Sequence, residues 1–548
     1  MRQIMTGLAA TLFADACVSP GAHAQDTKDT MASKELTIER LYASPSLNGP
    51  SPTGVKYSPD GQRVTFLKAR EDDSSHYDLW QFDVASGDQS MLVDSTLLEP
   101  EDVELSEEEK ALRERKRIAG RKGIVDYDWG TNDTILVPIG GDLHLVTLGE
   151  DGPEARQLTE TKAFEYDARV SPGGAYVSFV RDGAVFAIDL ESGEETQLTP
   201  DAEPENAISY GTAEFVAQEE MSRYTGYWWS PDARYLAYTK VDESTVDVIP
   251  RFDIKAEETT VVEQRYPRAG RPNAVVDLFL RDMERGEATE VTWRREDWGP
   301  ATDQYLARVN WAGDALVVQA VNRDQTFIET SQHWPETLWS FEKLATEKQE
   351  RWVNLSKDYT PLSSETGTLH DQGEIAYLTT SEESGYRHII KHGRDDETVA
   401  LTSGAWAVSA IEGRDPESRA IFFTGFRHTP LEKHLYSVPE DGGDVTRITE
   451  PGKSWSITMS PDGKSFVGTS SSPTQPPQTG LYTAEGALIA WIEENKLDES
   501  HPYAPYLDNH AVPEFGTLEA EDGQDLYYSV LKPADFDPAK QYPVIKTK

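Results

Sequence analysis

Apolar and polar positions alternate along this chain in short runs, and the same kind of turn introduces one run after another. Ser58-Pro59-Asp60-Gly61 precedes Val64-Thr65-Phe66-Leu67, and Ser171-Pro172-Gly173-Gly174 precedes Tyr176-Val177-Ser178-Phe179. Ser230-Pro231-Asp232 leads into Tyr235-Leu236-Ala237-Tyr238, and Ser460-Pro461-Asp462-Gly463 into Ser465-Phe466-Val467. Degenerate copies begin at Trp129 and Trp311. Proline presets φ, aspartate bonds nearby amides and glycine accepts positive φ, so each turn reverses the chain between two strands. A second strand follows, then a turn such as Ala85-Ser86-Gly87 or Glu191-Ser192-Gly193. A closing pair comes next: Leu158-Thr159, Leu198-Thr199, Leu401-Thr402 or Ile448-Thr449. Three or four short strands recurring at roughly 40 to 60 residues predict the blades of a β-propeller. An array of β-sandwiches is the alternative, but sandwiches rarely repeat one turn chemistry at such a period.

Two segments interrupt the repeat. Leu105–Gly120 predicts a helix, with Ser106 as N-cap, Glu109 completing a capping box and Gly120 as the stop. Its acids come early and its bases late, matching the helix dipole. The second interruption is the long connection from Thr199 to Ser230. After about Ser500 the pattern changes again. Glu514–Thr517, Asp522–Tyr528, Leu531-Lys532-Pro533 and Tyr542-Pro543-Val544-Ile545 look like the opening strands of another domain. The expected division is 1–24 signal peptide, 25–50 N-terminal segment, 51–505 propeller and 506–548 the start of a further domain.

Composition narrows the functional classes. The 548 residues, 37% of them apolar, include 13 Trp, 23 Tyr and 17 Phe, which is ample material for a packed interior despite 27% charged residues. Acidic residues outnumber basic ones 96 to 52, for a formal charge of -44. That charge repels nucleic acid and anionic lipid and favours a cationic group on any ligand. The only cysteine, Cys17, lies in a stretch that reads as a secretory signal. Met1-Arg2 is basic, Ile4 to Phe13 is mostly apolar, and Ala22-His23-Ala24 fits a cleavage site, although Asp15 interrupts the run. Cleavage there leaves a mature protein without cysteine or disulfide, expected in the periplasm or outside the cell. No later run is apolar for eighteen residues, so no transmembrane helix is expected. No His-Glu-x-x-His motif, Cys/His cluster or Gly-x-x-x-x-Gly-Lys loop is present, and neither metal nor cofactor is expected.

The block Ala213-Glu214-Phe215-Val216-Ala217-Gln218-Glu219-Glu220-Met221, followed by Gly226-Tyr227-Trp228-Trp229-Ser230-Pro231-Asp232, resembles the dipeptidyl peptidase IV family of serine peptidases. Gly385-Tyr386-Arg387-His388-Ile389, Ser403–Val408 and the Leu531-Lys532-Pro533…Tyr542-Pro543-Val544 run follow in that family's order. The resemblance implies an all-β, eight-bladed propeller followed by the first strands of an α/β-hydrolase domain. It implies release of N-terminal dipeptides with Pro or Ala in second place, from peptides with a free N-terminus, and allows a homodimer of the full-length protein. It assigns Glu219 and Glu220 to the substrate's α-ammonium. It also implies an arginine for the substrate backbone, from the helix at 105–120. Arg117 is the choice here, with Arg113 and Arg115 as competitors.

The chemistry can be argued from the residues as well. An α-ammonium brings three donors and a full charge, so withdrawing it from water requires several acceptors and compensating charge. Neighbouring residues of a strand point to opposite faces, so Glu219 and Glu220 converge only where the chain turns, and Ala217–Met221 suits one helical turn. Two carboxylates without a cation repel, which predicts a raised pKa for one of them. Acidic pairs also occur at Glu107-Glu108, Glu194-Glu195, Glu257-Glu258, Glu382-Glu383 and Glu493-Glu494, and such a pair alone reads as solvated surface. Only the surrounding block singles out Glu219-Glu220. Trp228, Trp229 and Gly385–His388 read as blade packing.

A serine hydrolase of this kind needs a nucleophile on a Gly-x-Ser-x-Gly turn, and the chain has none. The expectation is therefore a chain without catalytic residues of its own, cut short before the triad of a secreted dipeptidyl peptidase. A propeller that only binds peptides or a protein is the rival reading. A third is a relative in the wider prolyl oligopeptidase group, against which the Glu-Glu-Met block counts.

Overall fold

The computed structural model describes residues 36–98, 105–149, 152–335, 341–362, 376–393, 398–533 and 535–546. The predicted signal peptide and Cys17 lie outside them.

The recurring turns close through their own side chains. Ser58, Ser230 and Ser460 each donate to the aspartate two residues on, at 2.6 Å, and accept an amide from the start of the next strand. The closing Leu-Thr unit has an equally local purpose. The hydroxyls of Thr159, Thr199, Thr402 and Thr449 accept the amides of Leu143, Val185, Ile389 and Leu435 at 2.9–3.1 Å. Each threonine thus satisfies a buried strand amide as the chain leaves the outer edge of one blade for the next.

Eight sheets of four or five strands result, antiparallel except where Lys122–Gly123 adds a parallel edge to the first, and consecutive in sequence except in the fourth, where a separate hairpin is inserted. Blade one runs from Thr53–Tyr57 to Gln89–Val93, and blade eight from Ser454–Met459 to Leu488–Glu493. The protein is an eight-bladed β-propeller. Apolar clusters lie between neighbouring blades, as in the one joining Leu362, Leu378 and Ile389 to Val408, Ile421 and Phe423. No strand crosses from blade eight into blade one among the described residues. Side chains close the ring instead: Tyr57, Val64 and Phe66 pack with Val467, Leu481 and Ile492, and Lys68 pairs with Glu493 at 3.0 Å.

The few helices are short: α1 (Ile38–Tyr42), α2 (Glu107–Arg115) and α3 (Phe215–Glu219). α2 begins as expected, with Ser106 Oγ accepting the amide of Glu109 at 3.1 Å. The Glu109 carboxylate, however, turns to Arg113 rather than back to the cap. The helix also ends earlier than Gly120. Arg117 takes φ +58°, its amide bonds to Glu114 O, and the amide of Ile118 bonds to Arg113 O at 2.8 Å. That is a Schellman stop with arginine where glycine is usual.

At the other end of the chain, Glu514–Glu519 and Asp525–Val530 form the expected hairpin, with both faces largely exposed. The Tyr542–Ile545 run does not form the strand expected of it. Among the described residues no neighbouring strand supplies hydrogen bonds, and Val544 and Ile545 are 88% and 93% exposed.

Candidate functional site

The fourth blade breaks its innermost strand in two. Ile208–Tyr210 pairs with one end of the strand Tyr235–Asp242, and Tyr227–Trp229 pairs with the other. Between them the chain leaves the sheet, forms α3, and returns. The two legs meet at a narrow neck, where the amide of Gly211 bonds to Thr239 O and the amide of Thr239 bonds to Gly226 O, both at 2.8 Å. A Cβ on Gly226 would stand 2.3 Å from the backbone of Gly211 and Thr212, so only glycine fits there. Met221 anchors the excursion beneath, against Ala307, Val321 and Val353.

This excursion supplies the turn that Glu219 and Glu220 need. Glu219 ends α3 and Glu220 caps it with φ -101° and ψ -28°, so the two carboxylates leave a helical turn rather than opposite faces of a strand. Both side chains are exposed. Below them the turn is held by a buried ion pair, Arg223 with Glu214 at 2.9 Å, whose side chains are 3% and 5% exposed. Glu243 stands in the same layer. Burial, reinforced by Glu214, raises its pKa, and Arg265 and Arg115 oppose that rise.

The end of α2 reaches this turn from across the ring. Arg115 lies 3.3 Å from Glu219 Oε1, donates to Gln218 Oε1 at 2.9 Å and sits 5.5 Å from the centre of the Phe215 ring. Phe215 is itself held edge-on by Tyr266, and Tyr224 donates to the carbonyl of Arg115. The three candidate arginines therefore part company. Arg113 is buried against Glu109, and Arg117 is exposed at the left-handed position after the helix, with no side-chain partner among the described residues. Arg115 is the one brought to Glu219. Glu220 has no side-chain partner among the described residues, so the cluster holds two carboxylates against one guanidinium. Sequence spacing could not show this, because the approach depends on where α2 stops.

Trp229 and Tyr227 belong to blade packing. Trp229 stacks on Tyr176 and donates to Ser178 Oγ at 2.8 Å, and Tyr227 is fully buried. His388 is equally structural, bonding Thr402 and the Gly404 carbonyl.

Fold and cluster together define a propeller that presents a carboxylate–arginine group on a helical turn broken out of its fourth blade. A family model, Dipeptidyl peptidase IV (DPP IV) N-terminal region, matches residues 137–477, and the chain belongs to that family. Human dipeptidyl peptidase 8 is 28% identical over 524 residues, and its mouse counterpart 26% over 532. Each alignment covers 80% of this chain and 58% of the relative, so the chain spans somewhat over half the length of either. The crystal structure of Porphyromonas gingivalis dipeptidyl peptidase 4 superposes with a TM-score of 0.72 at 20% identity, over 93% of this chain and 69% of that one.

Proposed function

We propose that this chain is the substrate-gripping propeller of an exported serine-type dipeptidyl peptidase, which releases N-terminal dipeptides with Pro or Ala in second place. In this reading Glu219 and Glu220 receive the α-ammonium of a peptide. Its three donors and positive charge meet two carboxylates, one of them, Glu220, without a partner of its own among the described residues. Arg115 keeps Glu219 oriented and points its remaining donors toward a substrate carbonyl. The single observation that carries the reading is the Arg115–Glu219 contact beside an exposed Glu220 that has no side-chain partner among the described residues. Gripping the terminus at a fixed point measures residues from the chain end, which is what an exopeptidase needs. No bond-breaking step is assigned to a residue of this chain.

The test separates grip from cleavage. Calorimetry should detect a Gly-Pro amide binding to the chain and lose it on N-acetylation or in Glu219→Ala and Glu220→Ala. Hydrolysis of a Gly-Pro chromogenic amide is expected only of an extended form that adds a hydrolase domain with a Gly-x-Ser-x-Gly nucleophile. Equal binding of the acetylated peptide would overturn the assignment of the glutamates. Binding without hydrolysis by the extended protein would leave a propeller that captures peptides and cleaves nothing.

A further inference from the structure

A cavity of about 530 Å³ occupies the middle of the ring, lined from the innermost strands of blades one to five and from α2. Most of its cations are paired, while among the described residues the lining carboxylate Asp142 is held by Thr159, Thr161 and Gln157 rather than by a cation. Lys56 meets Asp128 at 3.2 Å, Lys116 meets Asp126 at 3.3 Å, Arg169 meets Asp167 at 2.8 Å, and Arg113 is held by Glu109. Arg223, beside the glutamate turn, belongs to Glu214. Two lining cations are left over, Arg308 and Lys357.

Arg308 is the more telling of the two. It sits on the inner strand Gln304–Ala312, where the register slips between Leu306 and Arg308, and such an irregularity re-aims a side chain. Among the described residues its one side-chain hydrogen bond runs from Nη1 to the adjacent Ala307 carbonyl at 2.8 Å, and its buried Nε has no partner. No carboxylate lies within ion-pair distance of it among the described residues, and the charge it feels most is the like charge of Arg223. Burial, with Arg223 adding to it, pushes Arg308 down to about 10, so at neutral pH it remains a cation without a counter-ion. In a chain of net charge -44 such a guanidinium is conspicuous, because a half-buried charge is stable only when something compensates it. A guanidinium fork and an ammonium lining the same cavity suit the planar or tetrahedral oxygens of a carboxylate or phosphate.

We propose that Arg308 and Lys357 form an oxyanion site in the central cavity, using neither Glu219 nor Glu220 and not resting on the peptidase reading. The oxyanion is either a free ion or a carboxylate carried by a bound peptide, and the two sources can be told apart. Thermal unfolding in sodium phosphate against sodium chloride at equal ionic strength tests the free ion. Calorimetry with Glu-Ala amide against Gln-Ala amide tests the peptide carboxylate. In at least one arm the wild-type chain should prefer the oxyanion, and Arg308→Gln should weaken that preference about tenfold or more, the loss of a charge-assisted hydrogen bond. Lys357→Gln, at an exposed position, should weaken it without touching the fold. Without ligand, Arg308→Gln should melt no lower than wild type, since it removes an uncompensated charge. The proposal fails if neither arm shows a preference, or if Arg308→Gln keeps it.

Discussion

Arg115 and Arg117 are two residues apart, yet the end of α2 sends them into different surroundings. Arg115 stops between Glu219, Gln218 and the Phe215 ring, whereas Arg117 occupies the left-handed turn after the helix. Arg115→Ala should therefore weaken binding of a free-amine dipeptide amide by about tenfold, while Arg117→Ala leaves it within about twofold. Calorimetry on both variants checks this, and the reverse order would move the assignment to Arg117. Buried titratable groups make a second prediction at this scale. Burial, with Arg295 adding to it, pushes His333 down to about 3. The unfolded chain takes a proton below about pH 6.5 and the native state does not, so this residue's contribution to stability falls as the pH drops. The loss reaches about 2 kcal/mol near pH 5. Denaturant unfolding between about pH 7.5 and about pH 5 should show a steeper decline in wild type than in His333→Gln.

At the scale of the element, the repeat survives because each unit satisfies its own backbone. Thr199 gives the amide of Val185 a hydroxyl acceptor where the chain leaves blade three. Thr199→Val preserves shape but orphans that amide, which should cost about 1–3 kcal/mol in denaturant unfolding. The neck of the fourth blade is stricter. Gly226→Ala forces a Cβ into backbone at 2.3 Å, so the two legs of the excursion must separate. The expected cost exceeds about 3 kcal/mol, with loss of peptide binding even where the propeller still folds. A melting temperature and affinity equal to wild type would show that the neck opens freely.

The whole molecule is a ring whose ends meet through side chains rather than a shared strand. Phe66, fully buried, lies in the seam between blades one and eight. Phe66→Ala should cost about 3–5 kcal/mol and broaden unfolding, because the ring can then open at one place. Net charge acts over the same scale. With -44 spread over the chain, self-repulsion opposes compaction. Raising NaCl from about 0.05 M to about 1 M, where the Debye length falls to about 3 Å, should raise the melting temperature. A flat response would mean that the acids are already neutralised locally by pairs such as Lys464 with Asp415 and Glu417.

The propeller was legible in the chain because its information is local: a Ser-Pro-Asp turn and a closing threonine each complete hydrogen bonds within a few residues or one blade. The helical turn beneath Glu219 and Glu220 was legible for the same reason, since adjacent carboxylates on a strand diverge. What depends on distant segments was not. The stop of α2 was expected at Gly120, but a left-handed Arg117 ends the helix at Arg115. The meeting of Arg115 with Glu219 joins residues more than a hundred positions apart, and no spacing rule specifies that approach. The Tyr542–Ile545 run has the residues of a strand but, among the described residues, no neighbour to pair with, and a strand exists only in company. Whether a cation is neutralised is likewise decided only when the ring closes. Arg308 looks like any other arginine in the sequence, and only the packed cavity shows its buried Nε without a partner while most of the bases around it are matched.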